Sequence, residues 1–158
     1  MIRKMYFPTH FKQENLAELF ELIENNPLAS VMVIHEGEIE ANHIPFELDR
    51  SVGEFGILCG HIAKANPLFD LLENAQSAYV IFQADQAYIS PNWYEGKHEH
   101  HRVVPTWNYR VVHIKGTIRK IEDDRYLRGV LARLTRMHEA NQAIPWKMGD
   151  APKDFIEE

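Results

Sequence analysis

The chain has 158 residues, 45% of them apolar and 25% charged, enough for one domain that buries a core without disulfides. A formal charge of −6 counts against a dedicated DNA-binding domain, which needs a basic footprint, and the single cysteine, Cys59, excludes an internal disulfide or a cysteine-based zinc site. No apolar run approaches the roughly 20 residues that span a bilayer. The opening MIRKMYFPTHFKQEN lacks the apolar stretch of a secretory signal, so a cytoplasmic protein with no membrane partner is expected.

The first predicted element is a helix over Gln13–Asn25. Leu16, Leu19, Phe20 and Ile23 recur at helical spacing there, and Pro27 closes it. LASVMVIH (Leu28–His35) reads as a strand, Glu36-Gly37 as a turn, and EIEANHIPFEL (Glu38–Leu48) as the returning strand of a hairpin. EFGILCGHI (Glu54–Ile62) follows a loop as a third strand, and NPLFDLLENA (Asn66–Ala75) reads as a short helix with Pro67 in its first turn. SAYVIFQ (Ser77–Gln83) is a buried strand that QAYIS extends or re-enters until Pro91 breaks it. Asn92–Arg102 reads as a polar loop, Thr106–Glu122 as a long strand, and Asp124–Ala140 as an amphipathic helix with Leu127, Val130, Leu131 and Leu134 on its stripe. A short helix is expected after Pro145. Six or so antiparallel strands with two or three helices predict a mainly β, α+β domain over residues 1–158: a small barrel with peripheral helices. No G-x-G-x-x-G or Walker A loop interrupts that pattern.

Three constellations carry chemistry. In GHIAKANPLFDLL, His61 ends a strand, Lys64 lies in the turn and Asn66 starts a helix. A cation and free N–H groups there suit a phosphate, whereas the plainer reading is a surface lysine and a helix cap. In EANHIPFEL, Asn42 and His43 interrupt an otherwise apolar strand, so each is satisfied in the core or faces a ligand. In QAYISPNWY and VPTWNY, Tyr88, Ser90, Trp93, Thr106, Trp107, Asn108 and Tyr109 mix flat rings with neutral hydrogen-bonding groups. Alternation puts Thr106 and Asn108 on one face and Trp107 and Tyr109 on the other, so one face meets a ligand while the other packs. Core or dimer-interface packing is the plainer reading of these rings.

The remaining signals are weaker. His98, Glu99, His100 and His101 lack a fourth ligand at a defined spacing, so no metal is assigned to KHEHHR. Cys59 reads as an inert buried thiol. Arg125, Arg128, Arg133 and Arg136 form the one dense basic cluster, which leaves direct DNA contact open against an opposing global field.

In this order, EANHIPF, GHIAKANPL, QAYISPNWY and VVPTWNYRVVHIKG closely resemble the PaiB family of FMN-binding negative transcriptional regulators, and MYFPTHF and PWKMGDAPKDFIEE fit the same pattern. The resemblance implies a split β-barrel of the FMN-binding type, working as a homodimer with FMN in clefts between subunits. It implies phosphate contacts at His61, Lys64 and Asn66 and the flavin ring against Asn42 and His43. Tyr88, Ser90, Trp93, Thr106, Trp107 and Asn108 would close the pocket, from the partner subunit in one arrangement. Family members continue past DFIEE with a further apolar β segment, so a single domain lacking that C-terminal segment is the expectation. The alternatives are an FMN-dependent oxidoreductase, for which no acid–base pair is visible in the sequence, and a haem-binding split barrel with His43, His61, His100 or His113 as axial ligand.

Overall fold

The structure, a computed structural model, describes residues 6 and 8–152. The family-like stretch at residues 153–158 therefore lies outside the described residues, as does most of the MYF that opens the N-terminal one. Five antiparallel strands form one sheet in the order β3-β2-β1-β4-β5: β1 Leu28–His35, β2 Glu38–Asp49, β3 Ile57–Gly60, β4 Gln76–Ile89 and β5 Thr106–Ile118. Helix α1 (Leu16–Asn25) precedes them, α2 (Leu68–Leu71) and α3 (Gly96–His100) lie between them, and α4 (Asp124–Glu139) follows. The α+β class is the expected one. Among the described residues the strand count is five because QAYIS does not re-enter the sheet: it continues SAYVIFQ as one 14-residue strand, β4, across a register shift between Gln83 and Gln86.

Local chemistry sets the element ends. Asn15 caps α1 by accepting from the Ala17 N–H at 3.0 Å, which delays the start from the predicted Gln13 to Leu16. Glu36 and Gly37 both have positive φ, at 50° and 89°, as a tight two-residue hairpin turn requires. Helix α2 is a single turn of four residues, and the apolar run after it is too short to carry it to Ala75. The predicted polar loop holds a 3-10 turn, Pro91–Trp93, and the five-residue α3. After Pro145 the described chain forms one 3-10 turn, Met148–Asp150.

One face of the sheet makes the core. Ala29, Val31 and Val33 of β1, Ile44 and Phe46 of β2, Ala78, Val80 and Phe82 of β4, and Val112 of β5 are buried there with Ile23 of α1 and Leu68 and Leu72. Each fully buried Val, Leu, Ile or Phe side chain among them contributes about 1.5–3 kcal/mol of transfer free energy. Gly60 has a reason to be glycine: a Cβ there would lie 2.9 Å from Ile44 and 3.0 Å from Phe46. The opposite, outer face is partly covered by α4. Arg133 Nε bonds both carboxylate oxygens of Glu47 at 2.7 and 2.8 Å, and the Tyr126 hydroxyl meets Cys59 Sγ at 3.2 Å. Cys59 is thus half-buried under α4 rather than sunk in the core. None of the helices among the described residues is long and apolar enough to cross a membrane.

Candidate functional site

The β3–α2 turn is built around Asn66. Its Oδ1 accepts from the Leu68 N–H at 2.9 Å, its backbone N–H donates to Ala63 O at 2.9 Å, and its Nδ2 donates to Asn42 Oδ1 at 2.8 Å. The first two bonds are the helix cap and turn of the plainer reading. The third is new: it ties the turn to the middle of β2 and brings two separate sequence constellations into direct contact. Asn42 lies on the core side of β2, in register with Val31 of β1. Polar groups there need partners, and Asn66 supplies one.

This bond fixes the turn that carries Lys64. Among the described residues Lys64 is exposed and makes no ion pair, and the side chain of His43, one residue past Asn42, is also exposed and makes no hydrogen bond. The expected contribution from a helix N-terminus is small, because α2 is one turn long and its Leu68 N–H is engaged by Asn66. A phosphate at this turn would therefore be held by the lysine side chain.

His61 goes elsewhere. Its ring lines a groove of about 380 Å³ between the sheet and α4, with Pro45, Leu131, Leu134, Thr135, His138, Glu139 and Trp146. Its Nδ1 is buried without a hydrogen-bond partner among the described residues. Sequence reading missed the α4 and Trp146 side of this groove, because Leu131 and Leu134 sit on a stripe that any packed helix would show.

The aromatic–polar segments form an arm. Beyond the last β1 contact, Ala29 to Phe82, the ends of β4 and β5 pair only with each other: Gln86 with Tyr109, Ala87 with Asn108, Tyr88 with Trp107, Ile89 with Thr106. Trp107 is 58% exposed and Trp93 68%, with Thr106 and Asn108 exposed as well. The expectation that one face packs is not what the single chain shows. Both faces are open because β1 ends where the arm begins. Tyr88 and Trp107 meet edge to face at 6.0 Å between centroids, and Ser90 caps the following 3-10 turn. A groove of about 210 Å³ on the arm is lined by Asp85, Gln86, Ala87, Asn108, Tyr109 and Arg110. The arm sits on β4 and β5 and the lysine turn on β3, at opposite edges of the sheet. Four strand spacings, about 19 Å in a flat sheet, separate those edges.

One pair was invisible in the sequence. On the outer face the Tyr79 hydroxyl and His113 Nδ1 are 2.8 Å apart, with the rings edge to face. Burial holds His113 below the usual imidazole range. The residues are 34 apart, and only the β4–β5 register joins them. In the histidine-rich segment, α3 is helical, so His98 and His100 point to different sides, and His100 Nδ1 accepts from the Arg102 N–H at 3.0 Å. Among the described residues no group of three or more His, Cys, Asp or Glu side chains is placed to hold a metal ion.

Against known proteins, the family described as "Putative FMN-binding domain" matches residues 5–158. Protease synthase and sporulation protein PAI 2 of Bacillus subtilis is 33% identical over 120 residues, which cover 76% of this chain and 55% of that protein; the chain spans about half the length of this relative. Protein YKL070W of Saccharomyces cerevisiae is 32% identical over 157 residues, 85% of this chain and 90% of that one. The FAD and haem binding protein from Mycobacterium smegmatis superposes with a TM-score of 0.61 at 20% identity, over 87% of this chain and 60% of that chain, a likeness of fold. The four ordered strings pointed to the right place: the chain belongs to the PaiB-like family of FMN-binding domains.

Proposed function

We propose that two copies of this chain share FMN, with the phosphate at the Lys64 turn of one copy and the aromatic arm of the other closing over the ring. The observation that carries this is the Asn66–Asn42 bond. It holds a turn whose exposed lysine is unpaired among the described residues against the strand that presents His43, so the residues fit a phosphorylated, planar group. Lys64 neutralises the phosphate, and His43 offers a ring nitrogen beside the flavin. A second copy is needed because the rings of Tyr88, Trp93 and Trp107 are left open at the far edge of the same sheet. Large exposed aromatics of this kind suit an interface. The flavin, when bound, supplies hydride and electron transfer.

The role we assign is regulatory, in keeping with the PaiB family and with PAI 2, whose name refers to protease synthesis and sporulation. Flavin occupancy or redox state would bias the dimer between conformations. Direct DNA contact is the weaker route: the net charge is −6, and Arg133 of the basic cluster is engaged by Glu47. One observation favours the oxidoreductase alternative: the Tyr79–His113 pair is an acid–base couple on the outer sheet face, reached from His43 through Ser30 and Ile81 along one cross-strand row.

The test is flavin titration of wild type and Lys64→Ala, followed by flavin fluorescence, with size measured by light scattering. A charged hydrogen bond is worth about 1.5–3 kcal/mol, so Kd should rise by roughly ten- to a hundredfold or somewhat more. Unchanged affinity, or a monomer with full affinity for FMN, defeats the proposal.

A further inference from the structure

The groove under α4 has chemistry of its own, independent of the flavin reading. We propose that it is a second ligand site, for a small ring-bearing amine. Pro45, Leu131, Leu134 and Trp146 make an apolar slot, and its volume of about 380 Å³ lies in the lower part of the range of small-molecule pockets, roughly 300–1,000 Å³. Its charge selects the ligand. Among the described residues Glu139 is the one carboxylate lining the groove, His61 and His138 are its other titratable groups, and no lysine or arginine is among them. An anion such as the FMN phosphate would meet repulsion there, and an ammonium group attraction.

Two further details point the same way. The Trp146 backbone N–H donates to Glu139 Oε2 at 2.9 Å, which sets Trp146 at the groove beside the carboxylate. A carboxylate keeps lone pairs for a second donor, and an indole face favours a cation near it. Among the described residues His61 Nδ1 is buried without a partner, and such a group gains from a ligand that bonds it. The amine meets Glu139, its ring lies among Leu131, Leu134 and Trp146, and a second polar atom of the ligand, where it has one, reaches His61.

The probe is phenethylamine, with 3-phenylpropionate as its acid counterpart, titrated into the full chain with and without FMN and followed by tryptophan fluorescence and melting. The amine should bind saturably, at least tenfold tighter than the acid. Thr135→Phe fills the groove and should abolish amine binding while leaving FMN affinity unchanged. Glu139→Gln keeps an acceptor for the Trp146 backbone N–H and should shrink the preference to under threefold. Equal or tighter binding of the acid overturns the proposal, as does an amine affinity indifferent to both substitutions. A tenfold loss of FMN affinity in Thr135→Phe would put the flavin itself in the groove and also overturn it. Loss of dimerisation in Thr135→Phe, with a melting point that ignores the amine, would give the groove to a second copy and overturn it equally. Because the FMN-free titration reads the groove alone, failure of flavin binding leaves this result separately legible.

Discussion

The Asn42–Asn66 bond invites a double-mutant cycle. Asn66→Ser keeps an oxygen that can cap the Leu68 N–H and deletes the donor to Asn42; Asn42→Ala deletes the acceptor. The bond is 2.8 Å long and partly buried, so its net worth is about 1 kcal/mol, the middle of the range for neutral hydrogen bonds. Each single variant should lose roughly that amount, which for a chain of this length lowers the melting temperature by about 2–4 °C. The double variant should lose little more than either single one, giving a coupling of about 1 kcal/mol. Chemical denaturation of all four proteins measures it. The same cycle read in FMN affinity separates two roles. If the bond only positions the Lys64 turn, both singles and the double weaken flavin binding by a similar factor, about fivefold. If Asn42 touches the flavin, Asn42→Ala costs more than Asn66→Ser. Strict additivity in stability would refute the reasoning, since it would mean the two amides do not hold each other.

Two other expectations follow from burial. Phe82→Ala should cost about 3–5 kcal/mol, because Phe82 is 0% exposed, whereas Trp107→Ala should leave the melting of the isolated chain within about 0.5 kcal/mol of wild type and instead weaken dimerisation, as light scattering would report. An equal loss in both would place Trp107 in the core. His113 gives a pH dependence: burial depresses its folded-state pKa, so below about pH 6.5 the unfolded chain takes up a proton that the folded one resists, and stability falls as pH drops through that range. Urea midpoints at pH 7.5 and 5.5 should diverge more in wild type than in His113→Asn; the same divergence in both would clear His113 of the effect.

The parts of this fold that were legible in the sequence are those set by local pattern. The β1–β2 hairpin follows from alternation on either side of Glu36-Gly37, and the amphipathic stripe of α4 follows from its spacing. The Asn66 cap was legible for the same reason. What it does with its other amide atom was not, since Asn42 is 24 residues away and only strand register decides whether the two meet. The arm shows the limit most clearly. Alternation in β5 promises one packed face, and it delivers one at Val112, where β4 is itself backed by β1. Past Phe82 the 14-residue β4 and 13-residue β5 outrun the 8-residue β1. A strand pair carries the same two-residue period whether or not a third strand backs it, so nothing in Thr106–Tyr109 says that its neighbours have stopped. The rings there are open because of the length of a different strand. That exposure is what the proposed second copy would cover.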